Sequence, residues 1–71
     1  MRIRDKLSSS ILGIIEKSKE PLETTEIIEL VHDTRVRILY RLHMLRGDSL
    51  VNGKQVGSGK GVWIWWKIEK S

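Results

Sequence analysis

Residues 50–68 read LVNGKQVGSGKGVWIWWKI, and the way this stretch pairs with itself decides the fold. Its second half, Val62-Trp63-Ile64-Trp65-Trp66-Lys67-Ile68, concentrates β-branched and aromatic side chains, which suit a pleated strand. Two turns compete to bring a partner alongside it. Asn52-Gly53 has the composition of a tight two-residue hairpin, whereas Gly57-Ser58-Gly59-Lys60-Gly61 offers a longer, pliable tip. The second gives the Trp-rich strand a partner of comparable length, running from Leu50 to about Val56, and leaves Asn52-Gly53 as a bulge or kink. Alternation along the strand separates Val62, Ile64, Trp66 and Ile68 from Trp63, Trp65 and Lys67. The first set is the expected core side. Trp63 and Trp65 are then expected to be partly exposed, which calls for packing on the first helix, a dimer contact or stacking on nucleic acid.

Working back from this hairpin, the period changes from two to three or four. Ile38, Leu42 and Leu45 form one inward stripe of a helix over about residues 34–46, capped by Asp33-Thr34 and ended by Gly47 as a C-terminal glycine. A shorter helix over about 25–32 precedes it, with Thr24 or Thr25 as its cap, Glu26 in its first turn and Ile27, Ile28, Leu30 and Val31 as its apolar face. Leu22-Glu23 is too short for an independent element and is expected to add at most a stub of strand near residues 22–24. Ile3, Leu7, Ile11, Ile14 and Ile15 define a first amphipathic helix over about 3–18, closed by Pro21. Gly13 within it either admits a close neighbour or is simply tolerated. The fold class is therefore α+β, three helices followed by a two-stranded hairpin, and residues 1–71 are expected to form one domain.

Composition narrows the function. Cysteine is absent, which excludes disulfides and thiolate metal sites. His32 and His43 are eleven apart and lack the spacing of metal ligands, so no metal and no cofactor is expected. Apolar runs fall far short of the ~18 residues of a membrane span, and no secretory signal core follows the charged N-terminus, which suggests a cytoplasmic protein. Gly57-Ser58-Gly59-Lys60-Gly61 fails as a phosphate-binding loop: Gly61 stands where Ser or Thr is needed, and a strand follows where a helix is required. No catalytic constellation and no small-molecule pocket is visible, so the chain is not expected to be an enzyme. The net charge of +4 is unevenly spread. Residues 1–33 hold five basic against seven acidic side chains, residues 34–68 seven basic against one acidic. A basic second half behind a mildly acidic first half points one surface at a polyanion.

The order of elements, with Ile38-Leu39-Tyr40-Arg41-Leu42-His43-Met44-Leu45 followed by Leu50-Val51 opening a strand, resembles the winged helix-turn-helix family of DNA-binding regulators, including archaeal ones, over nearly the whole chain. The resemblance implies a third helix that reads duplex DNA and a hairpin wing beside it. The residues agree. Opposite the Ile38/Leu42/Leu45 stripe lie Arg37, Tyr40 and Met44, flanked by Val36 and Arg41, and four arginines with no acid fall between Thr34 and Arg46. Arg37 and Tyr40 are the expected base readers, Arg35, Arg41 and Arg46 the expected phosphate contacts, and Lys54 and Lys60 the cations of the wing. The function expected is a nucleoid-associated transcription regulator, a homodimer through the first helix and through Trp63 or Trp65. The alternatives are a winged-helix protein-interaction subunit of replication or transcription machinery and a non-specific architectural nucleic-acid binder.

Overall fold

A computed structural model describes residues 5–57 and 61–69. The elements run α1 (Lys6–Lys17), β1 (Leu22–Glu23), α2 (Thr24–Val31), α3 (Arg35–Gly47), β2 (Val51–Val56) and β3 (Val62–Lys67). The three strands form one antiparallel sheet in the order β1-β3-β2, so the Trp-rich strand is the central one and the Leu22-Glu23 stub supplies its second edge. Among the described residues no helix is long and apolar enough to cross a membrane.

Each helix starts where a side chain satisfies its free N–H groups. Asp5 is the cap of α1, its carboxylate accepting the Ser8 N–H at 2.8 Å. The helix thus begins at Lys6, later than the expected start at Ile3, which lies outside the described residues. Thr34 caps α3 as expected, its Oγ1 accepting the Arg37 N–H at 3.3 Å. The cap of α2 is Glu23, whose N–H donates to the Glu26 carboxylate at 2.8 Å, and neither Thr24 nor Thr25. Thr24 is buried and serves the core instead. Helix α3 also ends differently from the sequence expectation. Gly47 is still helical, and the left-handed residue is Ser49 (φ 62°), which lets Ser49 N–H reach the Arg46 carbonyl and Leu50 N–H reach that of Leu45.

The core joins Ile11, Leu12 and Ile15 of α1, Ile27 of α2, Ile38, Leu42 and Leu45 of α3, Val51 of β2 and Trp65 of β3. Ile38, Leu42 and Leu45 are the stripe read from the sequence. Leu30 departs from expectation and is exposed. It lies roughly a quarter of a turn from the side of α2 that buries Thr24 and Ile27.

The sheet faces are inverted relative to the sequence expectation. Trp65 is completely buried and Trp63 packs against the core, whereas Val62 is exposed and Ile64 and Trp66 are half-buried. Register explains the inversion. The Gly57–Gly61 tip pairs Val56 with Val62, which carries Gly53 opposite Trp65. Gly53 is regularly paired, not a bulge; a Cβ there would sit 2.4 Å from Trp65 Cε3. The missing side chain is the space the indole occupies. The indole N–H then donates to Thr24 Oγ1 at 2.9 Å, and the Thr24 hydroxyl donates to the Trp63 carbonyl at 3.4 Å. Trp66 faces away, opposite Asn52. Trp65 is therefore a core residue and cannot serve as a dimer contact.

Among the described residues an ion pair crosses the helical layer. Arg41 Nε and a terminal Arg41 nitrogen both donate to Asp5 Oδ2, at 3.0 and 2.7 Å, tying the start of α1 to the middle of α3. The Arg41 guanidinium, seconded by the Ser8 N–H, holds the Asp5 carboxyl well below the usual carboxylate range.

Replacing Thr24 by Val keeps the shape but strands the buried Trp65 N–H, and is expected to destabilise the domain by about 1–3 kcal/mol in denaturant unfolding. A neutral Thr24→Val would show that this hydrogen bond contributes nothing. Because the Asp5 carboxyl titrates lower folded than unfolded, its stabilisation is complete above the unfolded value of about 3.9 and is lost as pH falls through the folded one. Asp5→Asn, which retains a capping side chain, is expected to melt below the wild type at pH 7, with the gap closing as pH drops from about 5 towards 2. A pH-independent gap contradicts the pairing.

Candidate nucleic-acid interface

Helix α3 has one side in the core and one side in solvent. Ile38, Leu42 and Leu45 hold the inner side, and Val36, Arg37, Tyr40 and Met44 are exposed on the outer one. The structure thus places Arg37 and Tyr40 on the open face of the N-terminal half of the helix, with Arg35 in the first turn nearly half a turn round from Arg37. Arg35 is exposed and makes no ion pair among the described residues. Arg37 Nε lies 3.0 Å from Asp33 Oδ1, four residues earlier, with its side chain 58% exposed. Such a pair contributes only about 0.3–0.5 kcal/mol, so Arg37 can exchange it for another acceptor. Asp33 also accepts the Thr34 N–H at 2.7 Å, which places a carboxylate at the start of α3.

Arg41 is committed differently. Its side chain is only 21% exposed and is held by Asp5, which in turn raises the affinity of the guanidinium for its proton. From that fixed position it lies over the Tyr40 ring, 5.5 Å from the centroid. Asp5, Arg41 and Tyr40 form a chain of contacts that orients the tyrosine on the outer face. No spacing in the sequence signals this chain, because Asp5 and Arg41 are brought together only by the packing of α1 on α3.

Arg46 sits at the far end of α3, where the helix meets the sheet. Its Nε donates to the Gly53 carbonyl at 3.3 Å, and its guanidinium lies 5.5 Å above the Trp63 ring. His43, one turn earlier, meets Trp63 and Trp65 edge-on at 5.0 and 5.2 Å, and the two indoles stack at 5.2 Å with 19° between planes. Arg46, His43 and Trp63 thus couple the end of α3 to the hairpin. By helical position alone His43 is a solvated flank residue; its aromatic contacts arise from the inverted sheet face.

Of the two expected wing cations, Lys54 does not join this surface. Lys54 pairs opposite Ile64 on the face of the sheet turned away from α3, at the edge of a depression of about 400 Å³ shared with Lys19, Pro21, Trp66 and Lys67. Lys60 lies outside the described residues. Among the described residues no group of three His, Asp or Glu is placed to hold a metal ion.

No protein-family model matches the chain, and no curated protein does. Among solved structures, the chain is similar to the crystal structure of ZitR of Lactococcus lactis, described as a zinc-responsive MarR family member, with a TM-score of 0.77 over 96% of this chain at 18% identity. The match spans 46% of that protein's chain. At this identity the likeness is one of fold alone, carried in this chain by a first helix, two helices joined by the short turn His32–Thr34, and an antiparallel sheet that includes the β2–β3 pair. The chain has the winged helix-turn-helix fold.

Proposed function

We propose that this chain binds double-stranded DNA, with α3 in the major groove and the β2–β3 hairpin on the backbone or in the minor groove, and that it acts as a transcription regulator. The observation that carries this reading is the outer face of α3. It is a helix with a buried reverse side, four arginines and no acid between Thr34 and Gly47, and its N-terminal half open to solvent. A major groove about 12 Å wide admits one such helix. The fold shared with a MarR family member supports the same reading.

The roles divide by how each side chain is held. Arg37, weakly paired and exposed, and Tyr40, oriented by Arg41, are the base readers. Arg35 is a phosphate contact. Arg46 contacts phosphate at the junction of α3 and the hairpin, and Lys60 supplies the wing's charge. Arg41 reaches a phosphate from its place beside Asp5, and Lys54 adds a cation to the back of the hairpin. Catalysis has no part in this reading, and the protein works in the cytoplasm.

Duplex affinity is expected to fall steeply with salt, the logarithmic slope being about −0.9 for each phosphate neutralised. Arg37→Ala is expected to cost about 1–3 kcal/mol at one base pair and change the preferred sequence, whereas Lys60→Ala weakens all duplexes alike. Equal, sequence-blind losses from both would show that α3 does not read bases. Absence of binding at low salt would favour a protein-interaction module.

The regulator is further proposed to be a homodimer through α1, with Trp63 as a second contact. Support comes from a groove of about 420 Å³ between α1 and α2, lined by Ser9, Ser10, Gly13 and Ile14 with exposed Leu30 at its edge. A Cβ on Gly13 would meet nothing within 4 Å, so the glycine is not filled by this chain's own side chains. Sedimentation equilibrium at tens of micromolar is expected to give the mass of two chains. A single-chain mass with and without duplex removes the dimer.

A further inference from the structure

Three of the exposed large apolar side chains, Val36, Tyr40 and Met44, stand at i, i+4 and i+8 of α3 and form one row along its outer face. Val36 is 78% exposed and Tyr40 60%. At about 100° per residue, Arg37 and Arg41 flank this row on one side, whereas Arg35 and Arg46 lie well over a quarter turn away, nearer the core stripe, with Arg46 held by the Gly53 carbonyl and the Trp63 ring. The helix therefore presents an apolar row with a cationic rim, Arg37 and Arg41, along one side. Solvation alone does not explain an apolar row there, because a helix face that only meets water carries polar residues.

Resting on the duplex-binding reading above, we infer that Val36 and Tyr40 read the C5-methyl groups of thymine, so that the preferred site carries thymine where the N-terminal half of α3 enters the groove. The Arg37/Arg41 rim suits one of the two phosphate walls of a major groove. Between those walls the thymine methyl is the apolar group that the base edges display. Val36 is the second residue of α3, in the part of a recognition helix that penetrates deepest. Tyr40 is one turn further on, its ring held under the Arg41 guanidinium that Asp5 fixes. The arginines read or neutralise oxygen and nitrogen; the row beside them reads carbon.

The test uses a duplex enriched from a randomised pool, with each thymine replaced singly by uracil, which removes the methyl and leaves base pairing intact. Wild-type protein is expected to lose about fourfold in affinity at one or two positions, the fold-change that corresponds to one buried methyl-sized group. Val36→Ala, on an exposed position that leaves the core untouched, is expected to bind the thymine duplex about as weakly as the wild type binds the uracil one, and to lose discrimination at one of those positions. Tyr40→Ala is expected to do the same at the other. Binding that is indifferent to every uracil, or a Val36→Ala protein that discriminates as the wild type does, overturns the inference while leaving duplex binding intact; the apolar row then belongs to a contact with another polypeptide. Failure to enrich or bind any duplex at low salt removes both this inference and the reading beneath it.

Discussion

The indole of Trp65 is the point at which the sheet and the helices are joined. It lies against Gly53 on the neighbouring strand, stacks on Trp63, meets the edge of His43 from α3 and donates its N–H to Thr24 at the start of α2. A domain of this size buries little apolar surface, so one large aromatic side chain supplies a substantial part of what holds it together. Its single polar atom is satisfied by a buried hydroxyl, and among the described residues no buried side-chain nitrogen or oxygen lacks a partner.

This junction sets the posture of α3. With Trp65 and Val51 beneath it and Ile11 and Ile15 beside it, the helix spends its inner stripe on the core and, among the described residues, leaves its outer face open. Two contacts refine that posture: Arg46 to the Gly53 carbonyl at the hairpin, and Arg41 to Asp5 at the start of α1. Both arginines are thereby held in place, whereas Arg35 and Arg37 remain free to rearrange. A face with its aromatic side chain oriented and its neighbouring cations adjustable suits the proposed ligand, a duplex with a fixed base floor and a deformable charged rim.

The elements, their order and the inward stripe of α3 are legible in the sequence because period and caps are local signals. Thr34 and the Ile38/Leu42/Leu45 spacing are enough to place that helix and its open face. The faces of β3 are not legible from alternation, since Trp63, Trp65 and Trp66 leave both phases aromatic, and a shift of one residue exchanges core for surface. The deciding signal is present but indirect. Counting back from the Gly57–Gly61 tip sets Gly53 against Trp65, and a strand glycine marks where something large must approach. Thr24 misleads for a related reason, as a threonine before a helix is usually a cap and only the tertiary fold brings an indole to its hydroxyl. The Asp5–Arg41 pair and the aromatic setting of His43 depend on contacts between distant segments, which no spacing reports.

The outer face of α3 is proposed as the surface that meets duplex DNA. Backbone amide chemical-shift mapping during titration with a short duplex at low salt tests it most directly. Perturbations are expected to concentrate at residues 33–44 and along the β2–β3 hairpin, with the Trp65 indole N–H unmoved in its bond to Thr24. Perturbations centred instead on the depression around Pro21 and Trp66, with α3 silent, would contradict it.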